Sequence, residues 1–186
     1  NFNTYIGFDA GYLRGNRNVA VGHSAFQSFT ATVDDSVAIG YEAGSAVTNA
    51  AGSVVLIGRE AGKTTQSVGH IAVGYQAGYS NTTGDKNTNI GYEAGYSNTT
   101  NTFRTCVGYQ AGKLNTGTGC TFIGHFAGGD RANVEGSSTA VGNEAGRYWE
   151  SGSNTALGEN AGAYANGTSR YNVMVGRNAI GNAFGS

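Results

Sequence analysis

The chain has 186 residues, 32 of them glycine and none proline, and its 11 basic and 12 acidic side chains leave a net charge of -1 with no block of one sign. Glycine without proline or a G-X-Y period excludes a collagen-like helix, and the balanced charge excludes the basic footprint of a nucleic-acid binder. No apolar run approaches the roughly 18 to 20 residues of a membrane span, and residues 1–15 read as a repeat rather than a signal peptide.

In chain order, the predicted elements are one phrase written eleven times. Its anchor is a glycine after an aliphatic residue, at Gly7, Gly22, Gly40, Gly58, Gly74, Gly91, Gly108, Gly124, Gly142, Gly158 and Gly176, spaced 15 to 18 residues apart. One residue before each anchor stands Ile, Val or Leu, and three before it Thr, Val or Ile. Three after it stands alanine, from Ala10 through Ala77 and Ala111 to Ala179. Each unit therefore predicts a short strand such as SVAIG (36–40), a tight corner such as YEAG (41–44), and a polar loop. A fixed small residue at a fixed offset implies the same steric demand in every unit, and the fold expected is all-β: a parallel β-roll or β-solenoid of about eleven coils, one domain over 1–186, expected to be an excised or terminal part of a longer fibre.

Alternation separates two faces of each strand. The residues one and three before the anchor are uniformly aliphatic or β-branched, so that face is expected to be the buried one. The residue between them is apolar or aromatic in ten of eleven units, Asn89 being the exception. A strand apolar on both faces sits between two layers, and one chain covers only one of them, so the second cover is expected from other subunits.

No catalytic, cofactor or metal constellation emerges. GHSAF (22–26) lacks the closing glycine of a nucleophile elbow, and GREAGKT (58–64) is one residue short of a phosphate loop. His23 and His125 share the offset just after the anchor but stand six units apart, too far to share an ion. Cys106 and Cys120 occupy different offsets and read as free, packed or partly exposed thiols, with a disulfide between neighbouring coils as the alternative. The sequons at Asn81, Asn98 and Asn166 recur because NTT and NGT are common loop phrases here.

The offset after the anchor brings Tyr75, Tyr92 and Tyr109 into consecutive units, with Tyr79 and Tyr96 four residues on. Such a row suits sugar rings or a partner's apolar edge, or simply shields the strand. Next to it Glu42, Glu60, Gln76, Glu93, Gln110 and Glu144 form a polar line. Tyr148 and Trp149 are placed in a loop outside the repeated strand positions, as a further stacking surface. Loops at 29–35, 48–53, 99–104, 130–135 and 148–153 are the other candidate contacts.

At DSVAIG (35–40), HIAVG (70–74), STAVG (138–142) and NTALG (154–158) the chain resembles the head repeats of trimeric autotransporter adhesins, the YadA-like head. NTNIGYEAGYSNTTN (87–101) and YQAGYSNTTG (75–84) are similar to repeats of phage tail and head fibre proteins. The resemblance implies a left-handed β-roll with three chains about one axis. It further implies a structural and adhesive module outside the cell, on a virion or a bacterial surface, that presents loops to a host-surface glycan or protein receptor. The units here are longer than the adhesin repeat, and the chain carries no coiled-coil stalk or anchor. No enzymatic activity, cofactor, nucleic-acid partner or membrane insertion is expected. The alternative is an ice- or mineral-binding solenoid, suggested by Thr88, Thr105, Thr121, Thr139 and Thr155, although they share their offset with Val and Ile, which marks a row expected to face the core. A polysaccharide depolymerase ranks last, since Asp34 and Asp35 are adjacent and would point apart.

Overall fold

The computed structural model describes residues 2–12, 14–28, 32–47, 52–132, 137–149, 152–164 and 170–180. It is all-β among these residues, with eleven strands: β1 (Thr4–Ile6), β2 (Val19–Val21), β3 (Val37–Ile39), β4 (Val55–Ile57), β5 (Ile71–Val73), β6 (Thr88–Ile90), β7 (Thr105–Val107), β8 (Thr121–Ile123), β9 (Thr139–Val141), β10 (Thr155–Leu157) and β11 (Val173–Val175). All pair parallel, in chain order, in one sheet. The pairing keeps equal offsets opposite each other, as in Thr88 with Thr105 and Ile90 with Val107. Each offset thus stacks on itself, and the chain is a β-solenoid in which a coil, numbered by its strand, contacts its neighbours.

The corner explains the invariant glycine and alanine. At Gly91 φ is +130°, and an added Cβ would lie 2.3 Å from the carbonyl oxygen of Gly108 in the next coil. No other residue fits that close backbone approach. The Ala94 N–H turns back to the Gly91 carbonyl at 3.4 Å, and the Gly95 N–H reaches the Ala111 carbonyl of the next coil at 2.9 Å. Glu93 between them takes φ 50°, a left-handed conformation repeated at Glu42, Glu60, Gln76, Gln110 and Glu144. The corner alanines from Ala25 to Ala161, Ala77 and Ala111 among them, are fully buried, and Ala10 and Ala179 in the terminal coils are partly so.

The two strand faces are reversed from the sequence expectation. The middle residue points inward: Ala20, Ala38, Leu56, Ala72, Cys106, Phe122, Ala140 and Ala156 are fully buried. The flanking residues point out, and Ile39, Ile71, Ile90, Ile123 and Leu157 are 37–39% exposed. Alternation tells that there are two faces without telling which is inside. The inward row is mixed in size, from alanine to Leu56 and Phe122, whereas the uniformly aliphatic and β-branched positions take the outer face.

Volume inside is made up by a large side chain whose offset changes along the rod. Phe26 fills the space beside Ala20 and Ala38, Leu56 fills its own coil, His70 stands beside Ala72, and Trp149 beside Ala140 and Ala156. In coil 7 the large inward side chain is Arg104, whose Nη2 reaches the Gly112 carbonyl at 3.4 Å. Constant interior volume met by different residues is the packing rule of the rod.

A second inward row lies four residues before the anchor, and it supplies hydrogen bonds between coils. Asn18 Oδ1 accepts from the Ser36 N–H at 3.1 Å, Ser36 Oγ from the Val54 N–H at 3.1 Å, and Asn87 Oδ1 from the Arg104 N–H at 3.0 Å. Each such side chain satisfies a backbone donor of the following coil that would otherwise be buried without a partner.

Candidate functional site

The outer surface of the sheet is laid out in parallel rows. Outward from each strand come the β-branched residue, the aliphatic residue and then, past the anchor glycine, the aromatic row. The rings in that row stack coil on coil: Phe8 on His23 at 5.3 Å, His23 on Tyr41 at 5.2 Å, Tyr75 on Tyr92 at 4.9 Å, Tyr92 on Tyr109 at 5.1 Å, and Tyr109 on His125 at 5.4 Å. Arg59 bridges the non-aromatic step between Tyr41 and Tyr75, with its guanidinium 5.3 Å from the Tyr41 ring centre and 5.9 Å from that of Tyr75. Tyr79 stacks on Tyr96 at 5.1 Å in a shorter second row.

This stacking changes what the rings offer. Interplanar angles of 13° to 17° along Tyr75, Tyr92 and Tyr109 mean that each ring face is turned to its neighbour in the row. A sugar stacks on a ring face, so this row presents edges and hydroxyl groups instead. Burial and the neighbouring Glu93 carboxylate raise the Tyr92 phenol above its ordinary value.

The polar line beside it is a ladder of ion pairs and amide bonds. Lys63 Nζ lies 2.6 Å from Glu42 and 3.1 Å from Glu60, Gln76 donates to Glu60 at 2.7 Å, and Lys113 meets Glu93 at 2.6 Å. The Lys63 hydrogen bond lowers the Glu42 carboxyl below its ordinary value, and the Gln76 bond, followed by Lys63, lowers that of Glu60. Lys63 itself is raised, first by Glu42. Its ammonium is committed to carboxylates, so GREAGKT offers no phosphate-binding lysine. In GHSAF the Ser24 hydroxyl does meet His23 Nδ1 at 2.9 Å, but Ser24 is only 4% exposed and the His23 ring is stacked between Phe8 and Tyr41. Asp34 and Asp35 are used locally, Asp34 accepting from the Asn16 N–H at 2.7 Å and Asp35 from Arg17. No group of three or more His, Cys, Asp or Glu able to hold a metal ion occurs among the described residues.

Several candidate contacts are placed differently from the sequence expectation. Trp149 is 2% exposed and packs inward against Gly146 and Gly162, so its ring is not a surface for stacking. It occupies an inward offset, seven residues past the anchor, that also holds Val47, Thr65, Asn81, Asn98 and Asn115. That shared offset was the overlooked signal. Tyr148 stays half-buried outside, stacked on Tyr164 at 5.4 Å. The sequon residues Asn81 and Asn98 are fully buried, whereas Asn166 lies outside the described residues. Of the loop candidates, residues 29–31, 48–51, 133–135 and 150–151 lie outside the described residues. Within the others, Phe103 is exposed, while Val33 and Arg104 point into the core. Cys106 and Cys120 are buried and not joined in a disulfide.

Among the described residues no helix is long and apolar enough to cross a membrane. No family model, no curated protein and no solved structure matches the chain.

Proposed function

We propose that the chain is a rod-like structural module of an extracellular fibre, on a virion or a bacterial surface, which associates as a homotrimer and carries surface loops for attachment to a host glycan or protein. One observation carries this reading: the outward face of every strand bears an aliphatic residue beside a β-branched one, in register over eleven strands, and a single chain leaves it solvent-facing. An uninterrupted apolar stripe of that length is more than a monomer ordinarily exposes. Since equal offsets stack in register, a second copy finds the same stripe along its whole length. Three rods side by side would present three copies of each loop, so weak single contacts would add as avidity.

The test is the mass in solution. Light scattering at micromolar concentration is expected to give three times the 19.0 kDa chain mass, and the mass of a single chain would overturn the reading. Ile90→Lys, which places a charge on the outward stripe, is expected to shift the mass downward while the far-ultraviolet circular dichroism of a folded sheet persists.

A second reading draws on the reversal of the strand faces. Thr88, Thr105, Thr121, Thr139 and Thr155 lie outward, half-exposed, on five consecutive strands in register. Such an array, repeating at about 4.8 Å, suits an ordered water or mineral lattice. Thermal hysteresis from a monomeric chain would favour this reading over the fibre, and a trimer without hysteresis would remove it.

A further inference from the structure

The apolar interior of the described rod falls into two clusters. One runs up to Ala72 and Ala77 in coil 5, and the other begins at Ala94 in coil 6. At the break stands His70, fully buried, with Thr65 Oγ1 at 3.0 Å and Asn81 Nδ2 at 3.1 Å on Nδ1, and Asn89 Nδ2 at 3.0 Å on Nε2. Arg104 follows two coils on at the same inward offset, and its Nε and Nη1 have no hydrogen-bond partner. No Asp or Glu is buried among the described residues. The stretch from coil 5 to coil 7 therefore holds two buried basic side chains and no negative charge to meet them, which is a costly arrangement.

The bonds around His70 fit the neutral ring. Asn89 Oδ1 has no donor, and the amide turned about its last torsion accepts from the Nε2–H. Nδ1 is then the acceptor for Asn81 Nδ2. A second proton makes Nδ1 a donor that faces the Asn81 N–H. Asn81 cannot turn to receive it without loss, because its Oδ1 accepts from Asn98 Nδ2 at 3.2 Å while its Nδ2 donates to the Gly84 carbonyl at 3.0 Å. Gly78 lies so close that an added Cβ would come 2.6 Å from Nε2. The side chains around the ring from coils 4, 5 and 6, namely Thr65, Ser67, Asn81 and Asn89, are all uncharged. Asp85 and Lys86, leading into β6, are engaged outside, Asp85 by the Val68 N–H at 2.8 Å and Lys86 over the Phe103 ring at 5.2 Å. Burial lowers the imidazole from 6.5 to about 4, so the closed rod refuses a proton that the opened chain takes.

We propose that coils 5 to 7 form an acid-triggered joint: a proton taken by His70 opens this stretch of the interior to water, while the apolar coils on either side stay stacked. Opening hydrates both the imidazolium and the Arg104 guanidinium, which the closed interior leaves without acceptors. The apolar coils have no such group to hydrate. In mild acid the rod becomes two stacked segments joined by an opened length of chain, and it closes again at neutral pH.

The experiment is amide hydrogen exchange on the full chain at pH 7 and pH 5, corrected for intrinsic rates. The probes are Ile71, Gly78, Thr88 and Gly95, whose N–H groups bond to the next coil within the joint, and Val19, Val37, Thr121 and Thr139, which do so outside it. Protection of the first set should fall by about 20-fold between the two pH values, the ratio that a group titrating near 4 when closed and 6.5 when open gives over this interval. The second set should keep its protection. Glu42 and Glu60 are held below the ordinary value of 4.5, so they stay charged over this interval. His23 and His125 lie in the outer row of coils 2 and 8, so a response of theirs would appear in the second set. His70→Gln should abolish the fall. Arg104→Met removes the charge that opening hydrates, and should raise protection of Thr88 and Gly95 at pH 7 by about tenfold. A loss of protection spread evenly over all coils, unchanged protection at Ile71 and Gly78, an equal fall in His70→Gln, or no gain in Arg104→Met would each overturn the proposal. Light scattering at both pH values tests the fibre reading separately, since the joint lies inside each rod.

Discussion

The interior between β2 and β4 and the interior between β5 and β7 are built on the same backbone with opposite chemistry. In the first, Phe26, Val33, Val47, Val54 and Leu56 form a continuous apolar core. In the second, His70 Nδ1 meets Thr65 Oγ1 at 3.0 Å and Asn81 Nδ2 at 3.1 Å, and Asn98 Nδ2 donates to Asn81 Oδ1 at 3.2 Å. Strand pairing and corner geometry are the same in both. The difference teaches that the coil is specified by its backbone ladder and its glycine–alanine corner, while the interior accepts either apolar volume or a bonded polar network of equal volume. Net hydrogen bonds contribute only about 0.5 to 1.5 kcal/mol each, so the polar segment is expected to be the less stable part of the rod.

The largest expected effect should be the same in both regions. Gly40→Ala and Gly91→Ala place a Cβ 2.5 Å and 2.3 Å from the carbonyl oxygen of the next anchor glycine, at φ +134° and +130°. Each should lose on the order of 4 kcal/mol in urea unfolding. A mild Gly91→Ala beside a severe Gly40→Ala would break the claim that one backbone serves both regions.

Leu56→Ala tests the apolar side. It removes the filler of coil 4, against which an added Cβ on Gly62 would come within 2.4 Å, and should cost about 2 to 5 kcal/mol. Little change would mean that neighbouring coils collapse into the space.

The polar side should respond to acid. Burial lowers His70 from 6.5 to about 4, so the folded chain resists a proton that the unfolded chain accepts. Stability from this residue is complete above pH 6.5 and declines as the pH falls towards 4, by up to about 3 kcal/mol. His70→Gln should flatten that part of the stability profile, measured by urea midpoints from pH 7 to 4. An unchanged slope would assign the acid response to other groups.

Ala77→Leu and Ala111→Leu sharpen the comparison with the smallest effect. Both alanines are fully buried at the corner, and the added volume should cost about 1 to 3 kcal/mol in thermal unfolding. Equal stability of variant and wild type would show that the interior yields at that corner.

The sequence by itself determined everything that follows from translation along the rod. The recurrence of Gly91 and Ala94 at every unit is enough to require parallel strands in register and a crowded corner, because a residue type demanded by one coil's contact with the next must repeat with the coil. Only the tertiary structure decided what depends on closing the coil in cross-section. It turned Leu56 inward and Ile57 outward, brought Trp149 and Asn81 into one inward row, and set Arg104 in the core instead of the loop surface where its neighbours suggested it would lie. Units of 15 to 18 residues absorb their extra length in the loops, so counting from one anchor fixes the strand and corner but not which way the loop returns. Inside and outside are properties of that return path. A uniformly aliphatic row and a row of mixed size both satisfy alternation, and the closing of the coil is what puts the mixed row, with Leu56 and Phe122, inside.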